Sequence, residues 1–438
     1  MSAKDLPSEL LILIFLECLP SAEFPRPKNR EAPVSLTQVC RHWRTVSITF
    51  PQLWSAIALG WNSEERDLKA LGFWLERSGC LPLSFGITHG IDYACSPRVV
   101  EKIRSESSRW KTIHLTASEG CVCSTAFGAA FVIPGNLLML EDYRIINTPR
   151  RRPFDSYERF ILLYAPRLST LHVGGHSLIR IYYPRYTTHH AMRELRLHKI
   201  ASSDNCLATL RQCPSLQILE FSLPEYIGSI PEDNDMHTVP LLHTLLMTGS
   251  CKHAHYVLGH VCLPALLRLS VVPHVKDMAH ESSVWSELTQ LLRRSGSKLE
   301  ELRLSCDTEN PADVVSVLKS ADSLKVFAIG SSVILTHLNK LLPPHGAGRM
   351  LCQKLRQFEF HGPLRPCEIE EIAEVFVGRW RYSQTTSPSI APFKIIIRYA
   401  GYIPLSQFFR CEGVQQCIDE GMEIEGMNSG KYWWTSEV

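Results

Sequence analysis

The sequence has no excess of either charge. Its 438 residues hold 46 Lys+Arg against 44 Asp+Glu. A chain so balanced carries no global field with which to gather nucleic acid or an anionic membrane. Long hydrophobic runs are missing as well. The longest, Leu10 to Leu16, has seven residues, whereas a bilayer span needs roughly 20, so no segment is expected to cross a membrane. The 15 cysteines form no Cys-x-x-Cys pair, no Asn-x-Ser/Thr sequon occurs, and no small-residue cleavage site follows the first apolar run. A disulfide framework and a secretory signal are therefore not expected. The reading is of reduced, mostly buried thiols in an intracellular protein, cytoplasmic, nuclear or both. Catalytic signatures are absent too. There is no Gly-x-Ser-x-Gly, no His-Glu-x-x-His and no nucleophile motif, so no catalytic residue and no cofactor is assigned.

What remains is an ordinary folding composition, 45% hydrophobic and 21% charged, with enough apolar surface to exclude general disorder. The length suits two or three domains or one long array. The first 60 residues differ from the rest. Leu6, Leu10, Ile14 and Phe15, with Leu11 beside them, fall at helical spacing after a tolerated first-turn proline, Pro7, and the helix should stop before Pro20. Ser21 to Pro33, with Pro25, Pro27 and Pro33, reads as an exposed loop. A second helix is expected from the Ser35-x-x-Gln38 capping box, with Leu36, Val39, Cys40, Trp43 and Val46 as its apolar stripe. Phe50-Pro51-Gln52-Leu53-Trp54 closes the segment. Two short amphipathic helices cannot build a large core, so their apolar face needs the rest of the chain or a partner.

Beyond residue 80 the motif Leu-x-x-Leu-x-Leu recurs with substitutions. It starts at Trp110, Leu168, Met192, Leu216, Leu242, Leu266, Leu299, Leu324 and Leu355, and Leu137 to Leu140 is a poorer match. From Leu168 the starts lie 24, 24, 26, 24, 33, 25 and 31 positions apart. Leucine-rich repeats run about 20–29 residues, each a strand plus a helical or irregular return. A turn-like proline often precedes the motif, as at Pro166, Pro214, Pro240 and Pro264, and the intervening 203–213 and 284–295 carry helical spacing. The expected fold is α/β: a short helical module over 1–59, a connecting segment over 60–109, a leucine-rich-repeat solenoid over 110–410 with a parallel sheet on its concave face, and an acidic, aromatic tail over 411–438. That tail, with Tyr432, Trp433 and Trp434, either folds back or stays loose.

The N-terminal pattern is also specific. Leu6-Pro7-Ser8-Glu9-Leu10-Leu11, Ile14-Phe15 and Leu19-Pro20, then Val39-Cys40-Arg41-His42-Trp43-Arg44 and Pro51-Gln52-Leu53-Trp54, resemble an F-box. Together with Trp74-Leu75-Glu76-Arg77-Ser78-Gly79 and the repeats, the chain is similar to the large F-box-like family of mushroom-forming fungi. The span from Pro20 to Leu36 is longer than the F-box norm, so helix two is expected to sit differently against helix one. The resemblance implies a substrate-recognition subunit: the F-box binds a Skp-type adaptor, which links to a cullin–RING ubiquitin ligase, and the repeats bind a protein substrate. The adaptor-binding candidates are Leu6, Pro7, Leu10, Leu11, Ile14, Phe15, Leu36, Val39, Cys40, Trp43, Pro51 and Trp54. Trp43 and Trp54 either touch the adaptor or pack internally. The alternative is a repeat module with no ligase role, its N-terminus serving as a cap.

The position between the last two apolar residues of each repeat faces the concave side. It reads His172, Arg196, Glu220, Leu246, Ser270, Arg303, Ala328 and Glu359. This mixture, neither a basic stripe nor an aromatic ladder, suits a protein partner rather than nucleic acid, and it equally suits solvated strand positions without a ligand. Arg150-Arg151-Arg152 reads as a solvated loop. His253, His255 and His260 near Cys251 and Cys262 fit no zinc spacing, so no metal is assigned. Gly346-Ala347-Gly348-Arg349 lacks the lysine and hydroxyl of a phosphate loop.

Overall fold

The computed structural model describes residues 6–21, 24–60, 63–88, 96–118, 126–133, 135–148, 157–175, 178–183, 190–223, 235–273, 282–306, 311–330, 351–361, 366–386, 394–399 and 408–428. The chain divides into two compact units, Met1–Ala201 and Ser202–Val438. Both are mixed α/β, each built on a parallel sheet, and no sheet closes into a barrel among the described residues.

The first unit opens with α1 (Ser8–Glu17) and α2 (Arg41–Thr49). Helix α1 turns Leu11 and Phe15 inward at i, i+4 spacing, and the Phe15 ring lies 4.9 Å from that of Trp43. The expected cap at Ser35 is not the start of α2. Ser35–Gln38 forms a separate 3₁₀ turn. Cys40 is extended, with φ −157° and ψ 172°, which breaks the helical path. The helix then starts on the Cys40 Sγ, which accepts the Trp43 N–H at 3.4 Å. The proline-rich stretch is a loop, exposed at Ser21, Arg26 and Lys28 to Arg30, but it is anchored at both ends. Pro25, Ala32 and Pro33 are buried, and the Ala58 N–H donates to the Pro25 carbonyl at 2.7 Å. Phe24 lies so close over Gly86 that a Cβ there would come within 2.5 Å of its ring. Prolines carry few donors to satisfy, so the segment lies on the sheet at little polar cost.

The strands of this unit are β1 (Ala56–Leu59), β2 (Leu83–Thr88), β3 (Trp110–Ser118), β4 (Asp142–Thr148), β5 (Tyr157–Ile161), β6 (Thr170–Gly174), β7 (Leu178–Tyr182) and β8 (Glu194–Leu197). Helix α3 (Glu64–Arg77) joins β1 to β2, and α4 (Pro97–Arg104) precedes β3. The main sheet runs β1-β2-β3-β4-β6-β8, all parallel, while β5 and β7 form a separate parallel ribbon.

The second unit has α5 (Ser203–Gln212), β9 (Ile218–Ser222), β10 (His237–Thr238), β11 (Thr244–Gly249), α6 (Cys251–Gly259), β12 (Val261–Cys262), β13 (Arg268–Pro273), α7 (Ser282–Ser295), β14 (Glu301–Leu304), α8 (Pro311–Ser320), β15 (Val326–Ile329), β16 (Gln357–His361), α9 (Pro366–Thr386), β17 (Lys394–Tyr399), α10 (Val414–Asp419) and β18 (Glu423–Asn428). Its parallel sheet runs β9-β11-β13-β14-β15-β16-β17-β18, with β10 and β12 as a side ribbon. The helices expected over 203–213 and 284–295 are α5 and α7.

Register explains the motif. Leu219, Leu245, Leu269, Leu302, Phe327, Phe358 and Ile395 pair directly from strand to strand, as do Phe221, Met247, Val271, Leu304, Ile329, Phe360 and Ile397. Every one is buried. Phe358 stacks against Phe376 of α9 at 4.6 Å, so the apolar rows face the helical layer. In the first unit the rows are Ile57-Phe85-Ile113-Tyr143-Leu171-Leu195 and Leu59-Ile87-Leu115-Ile145-Val173-Leu197. Each such side chain is worth about 1.5–3 kcal/mol in transfer from water. Tyr143 pairs with Leu171, so the weak match at Leu137 is out of phase, and the unit reads Leu140-x-x-Tyr143-x-Ile145. Strands also occupy parts of 60–109 and 411–438, which the repeat pattern left without any.

Candidate interaction surfaces

Two surfaces carry the candidate residues, one on the N-terminal helices and one on the strands. Helix α1 uses Leu11 and Phe15 for its core contact, and Leu36 of the 3₁₀ turn is also buried. The helix is apolar nearly all round, so a second face stays outside. Leu10, Leu13 and Ile14 are 48%, 60% and 40% exposed, and Val39 is 58% exposed. Surface leucines this open and this close in sequence are unusual for a face without a partner. The twelve residues assigned to adaptor binding thus separate. Pro7, Leu10, Ile14 and Val39 are exposed, and Leu6, Cys40, Trp43 and Pro51 are half-buried. Leu11, Phe15, Leu36 and Trp54 are interior. Trp54 Nε1 donates to the Ser47 carbonyl at 2.7 Å and its ring meets Trp74 edge-on at 4.8 Å. Leu13 belongs with Leu10 and Ile14 at i+3 and i+4 spacing, although the sequence reading did not include it.

On the strands, the intervening positions do form aligned rows. Across the first unit the row is Ala58, Gly86, His114, Arg144, His172 and Arg196. Asp142 takes His114 at 3.1 Å and Arg144 at 2.9 Å, and Glu194 takes Arg196 at 2.6 Å. His172 stands between the two arginines. Burial and their positive charge pull its pKa down to about 4, so it is neutral at pH 7.

Across the second unit the row is Glu220, Leu246, Ser270, Arg303, Ala328 and Glu359, continued by Ile396 and Glu425. Glu220, Leu246 and Arg303 are half-buried, whereas Ser270, Ala328 and Glu359 are buried. Glu359 is 1% exposed. Arg303 reaches it at 2.8 Å across the small Ala328 while bonding Glu301 at 2.5 Å. Gln357 and His361 also bond Glu359, at 2.6 and 2.9 Å. Burial raises the Glu359 pKa, but His361, Arg303 and Gln357 outweigh it and hold the carboxyl at about 2. The partners Asp142, Glu194, Glu301, Gln357 and His361 lie two residues before or after a row position. The period of two would have placed them on the same face.

No protein-family model matches the chain, and no curated protein matches it either. Among the described residues no group of three His, Cys, Asp or Glu side chains is arranged to hold a metal ion. His253 Nδ1 lies 3.2 Å from the Ser203 hydroxyl, and His260 Nδ1 lies 2.7 Å from the Tyr256 carbonyl. No described helix is long and apolar enough to cross a membrane. Arg150 to Arg152, Gly346 to Arg349 and Tyr432 to Trp434 lie outside the described residues.

Proposed function

We propose that this protein is the substrate-recognition subunit of a Skp–cullin–F-box ubiquitin ligase. In this reading residues 1–59 are an F-box that binds a Skp-type adaptor, and the parallel strand units are leucine-rich repeats that bind a protein substrate. The observation that carries it is the exposed apolar group Leu10, Leu13, Ile14 and Val39, held outward while Leu11, Phe15 and Leu36 fill the core. A helix with a free apolar face suits helix-in-groove binding, and the anchors of such interfaces are worth about 2 kcal/mol or more each. The test is capture of a purified Skp-type adaptor by the full chain. Binding is expected, and the triple variant L10A/I14A/V39A should weaken it by roughly a hundredfold or more without changing the melting temperature. An intact protein that never captures an adaptor would sink the reading.

A second reading is favoured by Trp54. Trp54-x-x-Ile57-x-Leu59 has the form of Trp110-x-x-Ile113-x-Leu115, and Ile57 and Leu59 lie in the same registered rows as Ile113 and Leu115. The N-terminal helices then serve as the cap of a repeat module with no ligase role. Deleting residues 1–59 would lower solubility and melting temperature, and no adaptor would be recovered.

A further inference from the structure

Charge is spread unevenly along this nearly neutral chain. Residues 144–199 hold eleven Lys+Arg against three Asp+Glu, whereas the whole chain has 46 against 44. Part of that excess gathers on the β5–β7 ribbon. Arg159 of β5 pairs directly with Arg180 of β7, and a bridge from Ile179 to Ile200 extends the ribbon by one position. The inner side is buried through Phe160, Ile179, Ile181 and Ile200. The Phe160 ring lies 4.8 Å from Phe131, which sits 4.7 Å from Tyr143. Side chains alternate along a strand, so the outer side takes Arg159, Arg180, Lys199 and Tyr182. Arg159 and Arg180 are exposed, and Tyr182 is 36% exposed.

Directly opposed residues in neighbouring strands stand about 4.8 Å apart, and like charges placed so repel. Among the described residues neither arginine has a carboxylate partner, and Lys199 has none either. Every other cation of the unit's strand row is treated differently: Arg144 has Asp142 and Arg196 has Glu194. Beside the ribbon, the 3₁₀ turn Ala129–Val132 packs on β5 and on a second 3₁₀ turn, Leu162–Tyr164, that follows β5 directly. They leave Val132, Ile133 and Leu163 about two-fifths exposed.

We propose that the outer face of the β5–β7 ribbon is a docking surface for an acidic polypeptide segment that carries apolar side chains among its Asp and Glu. Two guanidinium forks side by side accept carboxylates in pairs and relieve their own repulsion when they do. The exposed Val132, Ile133 and Leu163 receive the segment's apolar side chains. They also favour a polypeptide, which brings apolar side chains to cover them, over a nucleic acid, whose backbone brings none. Five-residue strands give a footprint on the order of 17 Å, the span of about five extended residues. This surface is separate from the adaptor-binding face and does not depend on that reading.

The experiment uses the full chain and a short fluorescein-labelled peptide of Glu and Leu, followed by anisotropy. Saturable binding is expected, weakened by roughly tenfold between about 50 and about 200 mM NaCl. The charge reversal R159E/R180E should weaken it by roughly tenfold or more at an unchanged melting temperature. The control R293E/K319E, at exposed cations of the other unit, should bind like the wild type. If the reversal lowers the melting temperature, R159Q/R180Q replaces it, and a smaller but clear loss is required. Absence of saturable binding, equal binding by the ribbon variants, or equal loss in the control overturns the proposal. So does a single-stranded RNA oligonucleotide that binds more tightly than the peptide and is lost in R159E/R180E.

Discussion

A carboxylate as deeply buried as that of Glu359 stays charged only because Arg303, Gln357 and His361 converge on it. Removing its charge strands the Arg303 guanidinium, which then keeps Glu301 alone. Glu359→Gln should therefore cost about 2 kcal/mol at pH 7, below the full cost of breaking a buried pair because Arg303 is partly solvated. The pH dependence has a definite sign. The folded carboxyl, at about 2, lies below its ordinary 4.5. The stabilisation is fully present above that ordinary value and is lost as the pH falls from there toward 2. Urea unfolding of wild type and E359Q should show a gap that shrinks as the pH falls below about 4.5. A gap independent of pH would mean that Glu359 is not charged in the folded state. Sequence spacing singled out Glu359 and Arg303 as members of one row, and they are. It read the row as a surface, because a row position alone does not reveal that Ala328 is small enough for an arginine to lie across it.

At the scale of the element, one device occurs twice. Trp54 and Trp110 each begin a Trp-x-x-Ile-x-Leu unit and each donate Nε1–H to a carbonyl seven residues upstream, Ser47 at 2.7 Å and Ile103 at 3.1 Å. The indole thereby ties the end of a helical segment to the start of the strand that follows. Trp54→Phe keeps most of the apolar area but leaves the Ser47 carbonyl without this donor. It should lower stability by about 1–3 kcal/mol, the cost of an unmet buried polar group. Adaptor capture should survive at permissive temperature, since Trp54 is 1% exposed. Loss of capture at an unchanged melting temperature would return Trp54 to the binding face. The strands most legible in the sequence are those whose apolar positions are leucine. β1, β2, β17 and β18 use Ile57, Phe85, Ile395 and Ile424 at the same register. A strand needs only alternation, so isoleucine and phenylalanine satisfy the fold while hiding the motif. Likewise the helix cap at Cys40 was illegible, because a thiol is a weak acceptor and Ser35 offered the better-known pattern.

For the molecule as a whole, the decisive property of an open parallel sheet is that only its first and last strands keep an unpaired edge. Residues 411–428 supply that last layer in the second unit. β18 pairs along β17 from Lys394–Glu423 to Tyr399–Asn428, Lys394 meets Glu425 at 2.9 Å, and Trp380 of α9 donates to Glu420 at 2.8 Å. The acidic character of this stretch, with Glu420, Glu423 and Glu425, then has a structural use. It gives the outermost strand charged side chains, the usual protection of an edge against pairing with another chain. Ending the chain at residue 410 would strip that layer and leave Ile395, Ile396 and Ile397 of β17 on an open edge. Three consecutive β-branched residues on an unpaired strand are a template for self-association. The truncated chain should melt several degrees lower and elute from size exclusion as concentration-dependent oligomers. Light scattering on the eluate measures this directly. A monodisperse, equally stable monomer would show that the β17 edge is protected without β18. Substituting Ile396→Lys in the same truncation should restore a monomer without restoring stability, because a charge blocks edge pairing but replaces none of the lost packing.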